Sequence, residues 1–138
     1  MTDAQFQKFL DGISECFITN AFETWKSHVI LPFSLITQNG LVDIQTEDHL
    51  HRNFDKYVVA MEMMGIDKIY RAALSLQDCQ DGTWIGTYQT HLLAQGVLAT
   101  EPYTASALLT IVDDTVKAHS ILNARSYHEW TRKHPGED

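Results

Sequence analysis

Three β-branched, aromatic-rich stretches carry polar side chains that could act on a small molecule: Arg71 on the first, Gln89 and His91 on the second, His119 and Asn123 on the last. An imidazole titrates near neutrality, so His91 is a candidate general acid or base. Arg71 offers a planar, permanently charged fork that suits a carboxylate or enolate oxygen. Gln89, Tyr103, His119 and Asn123 could fix a ligand by hydrogen bonds, and Trp25 could wall its pocket. A plainer reading stands beside each. His91 is then a hydrogen-bonded strand histidine, and Arg71 an ion-pair partner of Asp67 or of a helix carboxylate. His119 and Asn123 become polar groups at solvent or an interface, and Trp25 core.

Other chemistry finds less support. His49 and His51 sit two apart on a helical stretch and point to different sides, so they do not make a metal pair. His28, His128 and His134 are scattered. Asp78, Asp81, Asp113 and Asp114 fall where turns are expected, and turn preference accounts for them. Calcium would need a denser loop of oxygen ligands. No metal and no cofactor is expected. Cys16 and Cys79 lie on different elements without a CxxC spacing and read as two reduced thiols. No Walker loop, GxGxxG, HExxH or GxSxG occurs.

The elements that must position these groups follow from periodicity. Residues 3–26 carry Phe6, Phe9, Leu10, Ile13, Phe17, Ala21 and Trp25 at helical spacing, with Thr2 and Gln5 as a capping box and Gly12 as a weak point. Residues 28–37 (HVILPFSLIT) read as extended, with Pro32 favouring an edge or bend. Asn39-Gly40 predicts a hairpin returning through Leu41–Gln45. Thr46 opens a second helix whose stripe is Leu50, Phe54, Tyr57, Val58, Met61 and Met64, and Gly65 closes it. Four long strands follow: Ile66–Gln77, Thr83–Gln95, Tyr103–Val112 and Val116–Arg125. Gly96 to Glu101 reads as a connection. In the tail, Tyr127 and Trp130 mark one amphipathic turn before a frayed HPGED.

Helix, hairpin, helix and antiparallel meander make an α+β fold: N-terminal helices packed on a curved, mainly antiparallel sheet. Such a sheet, closed by helices, leaves a conical cavity suited to a small ligand. Register decides what lines it. Pairing Gln77 with Thr83, Leu93 with Tyr103 and Val112 with Val116 puts Ile69, Arg71, Gln89, His91, Tyr103, Ala105, Ala107, His119, Ile121 and Asn123 on one face. Tyr70, Leu74, Trp84, Tyr88 and Leu92 fall on the other, which suits an aromatic-rich dimer interface.

The chain has 138 residues, the size of a single domain, 1–138. With 10 Lys+Arg against 18 Asp+Glu, its formal charge of −8 argues against nucleic acid and against anionic membrane surfaces. No apolar stretch is long enough to span a bilayer. MTDAQFQKFL lacks the basic and apolar regions of a signal peptide, so the expected location is cytoplasmic.

The element order, LPFSLITQNG after the first helix, YRAALSLQDCQDGTWIGTYQTHLL as the central hairpin and the closing VKAHSILNARSYHEW together resemble the nuclear-transport-factor-two-like superfamily. These are cone-shaped α+β barrels that include ketosteroid isomerases, scytalone dehydratase, limonene epoxide hydrolase and polyketide-cyclase-like proteins. The resemblance spans nearly the whole chain and implies a homodimer formed through the outer sheet face. It also implies that one pocket serves isomerases, dehydratases, hydrolases or non-catalytic binders. The isomerases' aspartate base and tyrosine donor have Asp43 and Tyr103 as their nearest counterparts. The dehydratase's paired histidines are only loosely echoed by His91 and His119.

Three functions are therefore expected to compete. One is a cofactor-independent isomerase, dehydratase or cyclase acting on a small, largely apolar carbonyl or hydroxyl compound. There His91 would move a proton, and Arg71 or Gln89 would steady an oxyanion. The others are a non-catalytic ligand-binding module and a dimeric scaffold.

Overall fold

In a computed structural model, residues 1–125 are described. The tail element around Tyr127 and Trp130 lies outside them. The first helix, α1 (Asp3–Ile18), starts on the expected capping box, in which the Thr2 hydroxyl accepts from Gln5 N–H and the Gln5 amide accepts from Thr2 N–H. The helical stretch breaks not at Gly12 but at Asn20, which turns left-handed (φ 55°). A short α2 (Phe22–Ser27) follows and swings Trp25 inward. Asn tolerates that conformation because its short polar side chain bonds locally.

Strand β1 (Val29–Thr37) pairs with β2 (Gly40–Ile44) around a Gln38-Asn39 loop, and Gly40 supplies a positive φ of 119°. Helix α3 (Glu47–Met64) is capped by Thr46 and ended by left-handed Gly65. It buries Leu50, Phe54, Tyr57, Val58 and Met61. The meander is β3 (Lys68–Asp78), β4 (Trp84–Ala94), β6 (Tyr103–Val112) and β7 (Thr115–Ala124), with a two-residue β5 (Val97–Leu98) between β4 and β6. The sheet order is β2-β1-β7-β6-β4-β3, with β5 on β4. Only β1 and β7 are parallel. The helices cover one face, and the core of Phe6, Leu10, Ile13, Phe33, Ile44, Phe54, Leu92 and Leu109 fills the space between. At one point the packing tolerates no side chain: a Cβ on Gly86 would lie 2.5 Å from the Phe6 ring.

The expected register needs correction at three places. At the β3–β4 tip Gln77 faces Ile85, which keeps the expected odd-with-odd pairing. A bulge between Ala73 and Ser75 then inserts Leu74 as an unpaired residue. Below it Arg71 faces Thr90 and Ile69 faces Leu92, so the base of β3 turns its odd residues inward beside the even residues of β4, which are buried from Gly86 to Leu92. At the next connection β5 folds back on β4, pairing Leu93 with Leu98. That occupies the ladder position expected for Tyr103, which pairs with Thr90 instead. The last hairpin closes on Asp113-Asp114, with φ 50° and 63°, so Val112 faces Thr115. Both φ are positive, as a primed two-residue turn requires. A second bulge at His119 then restores the expected partnership of Ala107 with Ile121.

Candidate functional site

The helices and the concave sheet face enclose a cavity of about 50 Å³, room for a few waters or a small polar group. Helix α1 contributes Ile13 and Phe17, α2 Trp25, and α3 Asn53 and Tyr57. The sheet contributes Leu35, Arg71, Tyr88, Thr90, Tyr103, Ala105, Ile121 and Ala124, with Arg125 beyond the end of β7. Most of this wall is apolar or aromatic. Half-buried Asn53, Tyr103 and Arg125 mark its solvent side.

Arg71 is the charge inside. It is only 8% exposed, and its Nη1 donates to Ser14 Oγ at 3.0 Å. Ser14 in turn donates to the Leu10 carbonyl at 2.6 Å, which aims its lone pairs at the guanidinium. The Arg71 backbone is held too. Gln7 on α1 donates from Nε2 to Arg71 O (2.8 Å) and accepts Ala73 N–H on Oε1 (3.0 Å). One glutamine thus anchors both sides of Ala72, two residues before the bulged Leu74.

Among the described residues no carboxylate lies within ion-pair distance of Arg71. Neither neighbouring acid supplies the missing charge. Burial pushes the Tyr88 phenol up to about 12, although the nearby Arg71 charge pulls the other way. Burial likewise pushes the Cys16 thiol up to about 12 against the same pull. Both stay neutral at physiological pH. Two further polar atoms at this cavity, Trp25 Nε1 and Thr90 Oγ1, are buried without a hydrogen-bond partner. Tyr57 donates its hydroxyl to Arg125 O at 2.7 Å. Arg125 stacks over the Tyr103 ring at 4.9 Å and donates to Asn123 Oδ1 at 2.9 Å.

Of the residues singled out from sequence, the structure brings Arg71, Tyr103 and Trp25 to this cavity. Four others lie elsewhere. Gln89 and His91 project from the convex face, because the Leu74 bulge and the β5 turn shift β4 by one residue. His91 Nδ1 lies 3.4 Å from Tyr70 O, and Gln89 borders an outer depression with Leu98 to Pro102. His119 is the extra residue of the β7 bulge. Asn123 turns left-handed (φ 60°) and points outward, donating to Thr104 O. Tyr88, expected on the outer face, is buried inside at 3% exposure. Sequence reasoning missed Thr90, Tyr88, Asn53, Tyr57 and Arg125 as cavity residues. The first two were signalled by their spacing but assigned to the wrong face. Asn53 is legible only as the polar residue beside Phe54 on the buried stripe of α3.

Among the described residues no three His, Cys, Asp or Glu side chains come together, and no helix is long and apolar enough to cross a membrane. The cavity's described lining contains no imidazole, carboxylate or thiol.

No protein-family model matches the chain, and no curated protein matches it. Solved structures do. A domain of unknown function with a cystatin-like fold from Nostoc punctiforme superposes with a TM-score of 0.65 at 12% identity, over 91% of this chain and 80% of that one. An NTF-2-like protein of unknown function from Shewanella oneidensis gives 0.63 at 10% identity, over 88% and 98%. Aln2 from a Streptomyces species gives 0.65 at 12% identity, over 86% of each chain. At such identities the likeness establishes the fold alone: the α+β, nuclear-transport-factor-two-like cone that the sequence resembles.

Proposed function

We infer that this chain is a ligand-binding module that holds a small molecule in the cone cavity without acid–base turnover. One observation carries the reading: Trp25 and Thr90 line the same cavity, and Trp25 Nε1 and Thr90 Oγ1 are both buried with no hydrogen-bond partner among the described residues. Leaving a buried polar group unsatisfied costs roughly 1–3 kcal/mol, and native folds rarely keep two together. A ligand that pairs with them recovers that cost on binding. The lining argues for binding over catalysis, because its described residues include no imidazole, carboxylate or thiol. Tyr88, the deepest phenol, holds its proton up to about 12.

The test is a titration of ¹⁵N-labelled protein with small alcohols, amides and acids, following the indole N–H signals. The Trp25 signal is expected to move while the Trp84 signal on β4 stays still. A set of compounds that leaves Trp25 unmoved overturns the reading, and conversion of a bound compound to product replaces it with the enzymatic one.

A further inference from the structure

Arg71 and Trp25 bring only donors to this cavity's lining. A guanidinium and an indole N–H can only donate hydrogen bonds, and Thr90 Oγ1 donates or accepts as needed. Arg71 and Trp25 therefore converge as donors on a cavity of about 50 Å³, one of them fully charged and 8% exposed, with no carboxylate partner among the described residues. By contrast Lys26 and Arg52, exposed on the surface, are each paired with carboxylates at 2.9–3.1 Å. The chain's formal charge is −8, so carboxylates are plentiful, yet the buried cation lacks one. A buried charge without a counter-charge is costly, and a ligand that supplies it is favoured by that cost.

Resting on the reading that this cavity holds a small molecule, we propose that its ligand is an organic monoanion, a short-chain carboxylate. Its oxygens lie against the Arg71 guanidinium and the Trp25 indole N–H, with Thr90 completing the contact. The hydrocarbon part lies against Phe17, Ile121 and Ala105. The buried guanidinium supplies the counter-charge for a carboxylate. The Ser14 hydroxyl and the Gln7 clamp on the Arg71 backbone hold the guanidinium in place before the ligand arrives, so little ordering is left to pay on binding.

Butanoate and butanamide have the same shape and differ in charge, which makes them a direct probe pair at pH 7. Butanoate is expected to move the Trp25 indole signal and to bind about 10- to 100-fold more tightly than butanamide, the range for hydrogen bonds to a charged group. Arg71→Met is expected to remove that preference, with the larger loss of affinity falling on butanoate. If that variant does not fold, Arg71→Lys keeps the charge but loses the fork, and butanoate affinity is expected to fall several-fold. Equal affinity for both probes in the parent protein overturns the anion while the pocket reading stands. Failure of both probes to move Trp25 overturns both readings. A lowered melting temperature of Arg71→Met with unchanged butanoate affinity assigns Arg71 a structural role and also overturns the proposal.

Discussion

The two faces of β3, β4 and β6 treat their polar groups in opposite ways. On the convex face, where water could satisfy everything, the side chains find partners. Thr87 and Ser106 share a hydroxyl–hydroxyl bond at 2.8 Å, and His91 sits against the Tyr70 carbonyl and ring. On the concave face, where water is scarce, Trp25 Nε1 and Thr90 Oγ1 have no partner and Arg71 has no counter-charge among the described residues. Stability alone would select the reverse, since an unmade bond costs most where solvent is absent. The unmet groups of the concave face are the ones that the proposed ligand would satisfy.

The comparison can be broken most severely at Leu74. It is the extra residue that lets the tip of β3 keep one facing while its base presents Arg71 inward. Deleting it forces either half of the strand to show its wrong face. The expected cost in urea unfolding is about 3 kcal/mol or more, with loss of any Trp25 response to ligand. A deletion that unfolds like the parent would show that the bulge does not set the facing.

Alkaline titration separates the faces more gently. The folded Tyr88 phenol is raised from 10.0 to about 12 by burial. Its contribution to stability is complete below pH 10 and disappears as the pH rises through the folded value, because the unfolded chain gives up the proton first. Cys16, raised from 9.0 to about 12, adds to the same decline. Urea midpoints measured between pH 8 and pH 12 are expected to fall, and Tyr88→Phe is expected to make that fall shallower. An identical slope in the variant would place Tyr88 in contact with solvent.

The smallest effect belongs to His91→Ala. A half-exposed convex-face histidine is expected to change stability by no more than about 0.5 kcal/mol and to leave cavity binding untouched. A tenfold loss of ligand affinity in this variant would erase the distinction between the faces.

The helices, the hairpin, both α3 caps and the four long strands were legible because each rests on local signals: a Thr2 box, Asn39-Gly40, a Thr46 start, a Gly65 stop. The site was legible only in part. Arg71 and Tyr103 could be placed because odd residues at the base of β3 and along β6 do face inward, and Trp25 because helical spacing put it on the apolar stripe. His91 and Gln89 could not, because their facing depends on one unpaired leucine in a neighbouring strand and on a two-residue strand that folds back at Gln95-Gly96. Neither leaves a local mark: Leu74 reads as any strand hydrophobe, and Val97-Leu98 as any loop pair. Bulges are long-range decisions about which backbone groups to leave unpaired, and a single strand's composition does not carry them.

The Gln7 clamp has a consequence for how the molecule behaves in a crowd. Among the described residues strand β3 ends the sheet, so one side of its backbone has no neighbouring strand there. Such a margin is a template on which another chain can add and start an aggregate. A glutamine amide offers one carbonyl and one N–H₂, the same complement as a peptide unit, and here both engage Arg71 O and Ala73 N–H. Gln7 is thus a counterfeit strand one residue long. It closes the middle of the open margin to recruitment by other chains, and it does so at the residue that carries the buried charge.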